Sequence, residues 1–318
     1  MPDLAATLEQ ALAASVTPAA RRAAERLRDA YRSGAPLTTL AIADEESAAA
    51  YAAYRMPATA AAIGAALADR LPFPPAAHTD LGGGTGAAVW VVHDRWPAAA
   101  STVIDASPAA LSLGRSLASR AGIGATWQQR RLGAGVVDLP PADLTTISYL
   151  LGELPEAEAW AVVGAAMDSS RALLVVEPGT PRGYAAALAT RDRLRDAGWS
   201  LLAPCPHALD CPIVAPDWCH FSVRVQRSAA HRDLKSAALN YEDEKFAYVL
   251  AVAPGEVSEG ESRARVLRHP IQRKGLVQFR VCTPEGRIDD VVISKRQGER
   301  YKKARDTEWG DPLPETSA

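Results

Sequence analysis

Leu4, Leu8 and Leu12 recur at a spacing of four and predict a short amphipathic helix at the start of the chain. Thr17-Pro18 reads as an N-cap followed by proline in the first turn, opening a second helix through AARRAAERLRDAYR. Ala-rich segments follow, EESAAAYAAYR and ATAAAIGAALADRL, whose composition favours helix by propensity. LPFPP at 71–75 ends this pattern.

From Thr79 the period changes. TDLGGGTGAAVW reads as a strand end, a glycine turn and a helix start, and STVIDAS as a second strand leading into a helix through ALSLGRSLASRAG. ADLTTISYLL and RALLVVEPG are further apolar strands, with a helical EAEAWAVVGAAMDSS between them. Such alternation predicts an α/β fold with a mostly parallel sheet covered on both faces.

Beyond Gly198, HFSVRVQR and KFAYVLAVA alternate as strands, and residues 253–262 form a polar loop. RARVLRH, GLVQFRVC and GRIDDVVIS read as three more strands, the last two joined by a TPEG turn. The expected organisation is a helical region 1–75, an α/β domain 76–255, a β-rich extension 256–305 and a disordered tail 306–318.

Composition narrows the class. Hydrophobic residues at 48% and charged residues at 23% belong to a globular chain, and no apolar run is long enough to span a bilayer. The start of the chain carries acids and lacks a basic leader, so a cytoplasmic address is expected. The net charge of −2 conceals an asymmetry: residues 261–305 carry thirteen Lys and Arg against five Asp and Glu. A basic C-terminal part on an otherwise acidic protein points to a polyanion such as RNA, with a solvated charged surface as the alternative. With no exposed apolar helix stripe in the pattern, a monomer is expected.

Two constellations carry chemistry. In DLGGGTGA, Asp80 precedes Gly82, Gly84 and Gly86 between a strand and a helix, where glycines let the backbone approach a ligand and the helix N-terminus offers free N–H groups. Asp105 lies nineteen residues past Gly86, where a carboxylate accepts from both ribose hydroxyls of NAD or of S-adenosylmethionine. The acid ahead of the glycines resembles motif I of class I S-adenosylmethionine-dependent methyltransferases. Asp138 lies where those enzymes place a polar residue near the adenine, and Glu153 is expected at a strand tip facing the cofactor. Asp138-Leu-Pro-Pro is not an amino-methylation motif, and all four cysteines fall outside the expected pocket, so no catalytic residue is assigned.

The second constellation is Cys205-x5-Cys211-x7-Cys219, with Cys282 after sixty-two intervening residues and no other cysteine in the chain. Four thiolates suit tetrahedral zinc or an iron–sulfur cluster, and loops of five and seven residues wrap a bulky group more easily than short zinc knuckles do. Pro204, Pro206, Pro212 and Pro216 keep the segment out of helix, and His207 and His220 are alternative ligands. Radical methylation would call for a compact Cys-x3-Cys-x2-Cys, which is absent.

YAAYRMPAT, DLGGGTGAA, SYLLGEL, VVEPGTPRGY, CPHALDCP…WCHFSVRVQR, LNYEDEKFAYV and RKGLVQFRVCTPEGR, in that order over roughly residues 45–300, resemble the methyltransferase-like family associated with the small ribosomal subunit. That family comprises mitochondrial assembly factors and their bacterial relatives. The resemblance implies a class I methyltransferase fold, S-adenosylmethionine as cofactor, and a 4Fe-4S cluster held by Cys205, Cys211, Cys219 and Cys282. It also implies action on the small ribosomal subunit and its 16S-type rRNA, as a methyltransferase or as a non-catalytic assembly factor. A zinc-stabilised NAD enzyme is the competing class. Arg224, Arg227, Arg232, Lys235, Arg273, Lys274, Arg280 and Arg287 are the candidate phosphate contacts.

Overall fold

The computed structural model describes residues 4–12, 17, 22–23, 25–26, 42–68, 70–133, 138–227, 240–256 and 263–315. Of the helix expected after Thr17-Pro18 only residues 22–23 and 25–26 are described, and they are helical, with Ala23 buried; Arg232 and Lys235 lie outside the described residues.

The parallel core forms because its strands are apolar on both faces. In β5 (Ser170–Pro178), Leu174 and Val176 enter one core layer and Leu173 and Val175 the other, all fully buried. An eight-stranded sheet runs β3 (Ala125–Gln129), β2 (Ala100–Asp105), β1 (Ala77–Leu81), β4 (Ala142–Ser148), β5, then β8 (Tyr241–Val252) and β6 (Ser200–Ala203). Strands β1 to β5 are parallel, whereas β8 is antiparallel to β5 and β6.

The N-terminal helices are not a separate layer. Helix α1 (Leu4–Leu12) buries Leu8 and Leu12. Helix α2 (Glu45–Tyr54) contributes Ala50, Ala52 and Ala53, and α3 (Met56–Leu67) Met56, Ile63 and Leu67, to the same core layer as Val103, Leu144 and Leu250. Alanines on α3 let its backbone approach the sheet closely, which the helical stretch needs if it is to share this core. Helix α4 (Ala87–Arg95) follows the glycine turn, and α5 (Pro108–Arg120) follows β2. Helix α6 (Glu156–Ser169) follows a single 3-10 turn at Leu151–Glu153, and α7 (Pro181–Asp196) follows β5.

The far edge of the sheet is built unusually. β6 pairs with the end of β8 and β7 (Phe221–Gln226) with its beginning, so the two lie in line along one edge. Ala203 pairs with Leu250 and Phe221 with Phe246, leaving residues 247–249 of β8 unpaired on that edge. The chain makes an excursion from 204 to 220 across this gap, without helix or strand, as its prolines predict.

A second sheet holds β9 (Arg265–Val266), β10 (Ile271–Arg273), β11 (Leu276–Cys282) and β12 (Ile288–Ser294). Helix α8 (Gly298–Asp306) covers it and was not foreseen. Residues 307–315, expected without structure, are packed instead: Leu313 joins the core of Val277, Phe279 and Ile293, and its N–H donates to Ala264 O at 2.7 Å. The segment's few apolar residues gave no periodic signal, and cross-chain pairing with β9 orders it. Among the described residues no helix is long and apolar enough to cross a membrane.

Candidate functional site: a glycine loop and a four-cysteine cavity

The glycine loop closes β1 onto α4, with Gly82, Gly84 and Gly86 all at positive φ (66°, 52° and 82°). Asp80 lies beneath it, fully buried, and accepts from Thr146 Oγ at 2.7 Å. A Cβ on Gly83 would stand 2.3 Å from Asp80 Oδ2, so the carboxyl props the loop from below and does not point at a ligand. Since Thr146 donates to Asp80, His78 Nε2–H donates to Thr146 at 3.0 Å, and Nδ1 accepts from Ser101 at 3.0 Å. This chain of buried polar groups ties β1, β2 and β4 together under the loop.

Asp105, at the end of β2, is half-buried and accepts from Gly84 N at 2.9 Å and Ser107 N at 2.7 Å. Burial raises its pKa, and these backbone donors oppose the rise. Trp127 on β3 lies against the loop: a Cβ on Gly86 would meet its ring at 2.6 Å. Nothing in the spacing of motif I points to this tryptophan. Asp138 is exposed, and only its backbone carbonyl is engaged, by Arg130 at 2.7 Å.

Glu153 sits on the 3-10 turn after β4 and not at a strand tip. It still stands on the glycine-loop side, since Tyr51 feels the charges of both Glu153 and Asp105. The buried carboxyl of this region is Glu177, which sequence reasoning missed. It accepts from Leu151 N at 3.0 Å, and burial pushes its pKa up to about 8. Its only sequence signal was an acid inside an otherwise apolar strand end, VVEPG.

Also missed was a closed triad at the end of β4. Tyr149, at φ 58°, donates to Glu244 Oε1 at 2.8 Å. Arg55 grips the same carboxylate with two bonds of 2.8 Å and lies 4.5 Å over the Tyr149 ring.

These buried groups set a pH dependence. Asp80 and Glu177 have folded pKa values of about 7 and about 8, raised by burial. Their unfolded values are about 3.9 and 4.3. Their stabilising contribution is complete below the unfolded values and is lost as pH rises through the folded ones. His78, lowered to about 3 by burial, acts in the opposite sense, but only below its unfolded value of about 6.5. From about pH 6.5 to 8 the carboxyls therefore dominate this set, and the unfolding free energy is expected to fall as pH rises. Denaturant titrations across that interval check it. Glu177→Gln should flatten the slope, and a wild-type protein that gains stability there would contradict the assignment.

The four cysteines are all unpaired. Cys205, Cys211 and Cys219 hang from the 204–220 excursion, and Cys282 closes β11, yet all four line one cavity that opens to solvent. Helix α7 supplies another wall with Tyr184, Ala187, Leu188 and Arg191, one helical face. The floor includes Ala247 and Tyr248, from the part of β8 that the excursion leaves unpaired.

Tyr184 Oη lies 3.2 Å from Cys211 Sγ, and His207 Nε2 3.3 Å from Cys282 Sγ, while His207 Nδ1 is buried without a partner. Burial pushes Cys282 up to about 12 and, with the charges of its fellow thiols, Cys219 well above the usual range. Four thiolates therefore coexist here only around a cation. Among the described residues no group of three His, Cys, Asp or Glu could hold a metal ion as placed. His220 does not line the cavity; it stacks on Trp218 at 5.2 Å.

A doubly wound sheet, a glycine turn after β1 and an acid ending β2 define a protein of the class I S-adenosylmethionine-dependent methyltransferase fold. The chain belongs to the family described as mitochondrial small ribosomal subunit Rsm22, whose pattern matches residues 45–314.

A human relative, the mitochondrial ribosome assembly protein METTL17, is 29% identical over 264 residues, covering 76% of this chain and 56% of the relative. The chain thus spans about half the length of that curated relative. Similar solved structures include the magnesium protoporphyrin IX methyltransferase of Synechocystis PCC 6803 with bound S-adenosylmethionine, at 15% identity and TM-score 0.36, covering 55% of this chain and 68% of that one. An O-methyltransferase family 2 protein of Planctomyces limnophilus has 16% identity and TM-score 0.35, covering 55% and 49%. Likenesses this distant say nothing about ligand or activity.

Proposed function

We propose that this protein is a maturation factor of the small ribosomal subunit. In this reading it acts as a monomer, binds S-adenosylmethionine at the glycine loop and holds a 4Fe-4S cluster on Cys205, Cys211, Cys219 and Cys282. It docks on 16S-type rRNA through a basic end of its second sheet. The observation that carries the reading is the meeting of Cys282 with the 204–220 excursion at one cavity, in a chain of this family. The donor set suits the cluster: four unpaired thiols line one cavity, beside an orphaned buried imidazole nitrogen. When bound, the cluster supplies a four-point crosslink between the two sheets and a one-electron centre.

The phosphate contacts expected from the sequence need redistribution. Arg224, Arg227, Arg280 and Arg287 face Asp243, Glu242, Asp290 and Asp289, so nearby acids, the first three on neighbouring strands, offset their charge. Arg273 and Lys274 are exposed at the β10–β11 turn, beside Lys295 and Arg296 at the end of β12. Lys295 N donates to Gly275 O at 2.7 Å, and Gln272 reaches Arg305 O at 2.8 Å, so these bases gather at one end of the sheet. Cys282 ends the same seven-residue β11, roughly 20 Å from that basic end. The cluster therefore anchors one end of the sheet and the other projects toward RNA.

Changing Arg273, Lys274, Lys295 and Arg296 together to Gln is expected to weaken small-subunit RNA binding about tenfold or more at 0.15 M salt and to lower the salt slope by about one per residue. An unchanged slope would move the RNA surface elsewhere. Co-sedimentation with immature small subunits tests the reading as a whole, and no association would overturn it.

The assembly-factor reading stands ahead of methyl transfer because the polar groups at the end of β4 are consumed by one another in the Arg55–Glu244–Tyr149 triad. Labelled S-adenosylmethionine incubated with immature subunits separates the two: radioactivity in RNA, lost in Asp105→Ala, would establish the enzyme.

A further inference from the structure

Two arginines line the four-cysteine cavity, and no carboxylate among the described residues lines it. Arg265 pairs in register with Cys282 across β9 and β11, so the two share a face. It donates to Pro204 O at 3.0 Å and Gly310 O at 2.9 Å, and forms no ion pair among the described residues. Arg191, 2% exposed, reaches in from α7 toward Cys205. Its Nη2 donates to the carbonyls of His207 and Leu209, its Nη1 pairs at 2.5 Å with Asp192 at the solvent rim, and its buried Nε has no partner. Burying guanidinium groups this way is costly unless an anion compensates them. Carbonyl acceptors satisfy hydrogen bonds but bring no net charge.

We propose that Arg191 and Arg265 are the counter-charges of the group held at this cavity, and that the cavity is built for a tetrathiolate group of net charge −2. The inference rests on the cysteine reading above. Four thiolates bring −4 and a core of +2 leaves −2, offset by Arg265, which has no ion pair among the described residues, and in part by Arg191, whose Nη1 also meets Asp192 at the rim. A [4Fe-4S]2+ core and a Zn2+ ion both have that charge, so the arginines answer to the charge and the metal content tells the two cores apart. A core of +1 leaves −3 against the same two cations and is disfavoured by comparison.

The test uses the full-length protein, purified without oxygen, with iron, sulfide and zinc measured per chain. The variants are Arg265→Met, which keeps length and removes charge, Arg265→Lys, which keeps charge, and Arg191→Met. Each is melted with its metal and after chelation. Arg265→Met is expected to melt lower than wild type with metal bound and higher than wild type without it, because the unpaired buried charge is then gone. Arg265→Lys should restore most of the metal-bound stability. If iron is present, the midpoint potential should shift negative in both Met variants, since a removed cation disfavours the added electron. A purely structural arginine predicts lower melting in both states and no shift in potential; that outcome overturns the inference and leaves the cysteine reading standing. A wild-type protein without metal overturns the cysteine reading, and this inference with it.

Discussion

Cys282→Ser is expected to empty the four-cysteine cavity, with iron and sulfide falling from about four each per chain to a small fraction of that. The other three thiols stay on the excursion, but the ligand that joins the two sheets is gone. A structural metal site feeds its binding energy into folding, on the order of 10 kcal/mol in the strongest cases. Even a loss of about 4 kcal/mol would lower the melting temperature by roughly 6 °C in a chain of this size. RNA affinity should fall in the same variant, because the second sheet loses its covalent tie to the excursion and keeps only non-covalent contacts such as Arg265 to Pro204 O and Arg268 to Trp218 O. Unchanged metal content would remove Cys282 from the ligand set. One zinc in a colourless wild-type protein would make the site a clamp without redox chemistry.

Arg55→Met is the second large effect, independent of any metal. Glu244 is 11% exposed at its side chain and takes two bonds from Arg55 and one from Tyr149. Removing the guanidinium leaves a buried carboxylate with one neutral donor, at a cost of about 3–5 kcal/mol. The double variant Arg55→Met, Glu244→Leu should recover much of that, since an ion pair replaced whole by apolar groups is often close to neutral. Denaturant unfolding of the two single variants and the double closes the cycle. Purely additive losses would mean that the pair is not the coupled unit the geometry describes.

Much of the α/β architecture was legible because periodicity is local. LLVV in β5 announces a strand buried on both faces, and DLGGGTGA announces a turn that only glycines tolerate at positive φ. β3 was harder: ATWQQ is short and half polar, and its tryptophan matters for what it packs against, which no spacing reports. Arg224 and Arg280 looked like free cations because their acids, Asp243 and Asp290, sit on neighbouring strands at positions fixed by register. Glu177 was hidden for a similar reason: its raised pKa comes from burial and from the turn after β4, not from its neighbours in sequence.

The sequence by itself determined most of the strand and helix succession of the parallel core, the glycine loop with Asp105 at the right distance, and the four thiols as one candidate ligand set. Only the tertiary structure decided that a chain excursion replaces three residues' worth of edge pairing on β8, that β11 delivers Cys282 to it, and that two arginines and no carboxylate among the described residues line the cavity. The division has one cause. Hydrophobic period and glycine stereochemistry act within a few residues, whereas sheet order, strand register and charge balance arise from segments brought together across as much as half the chain.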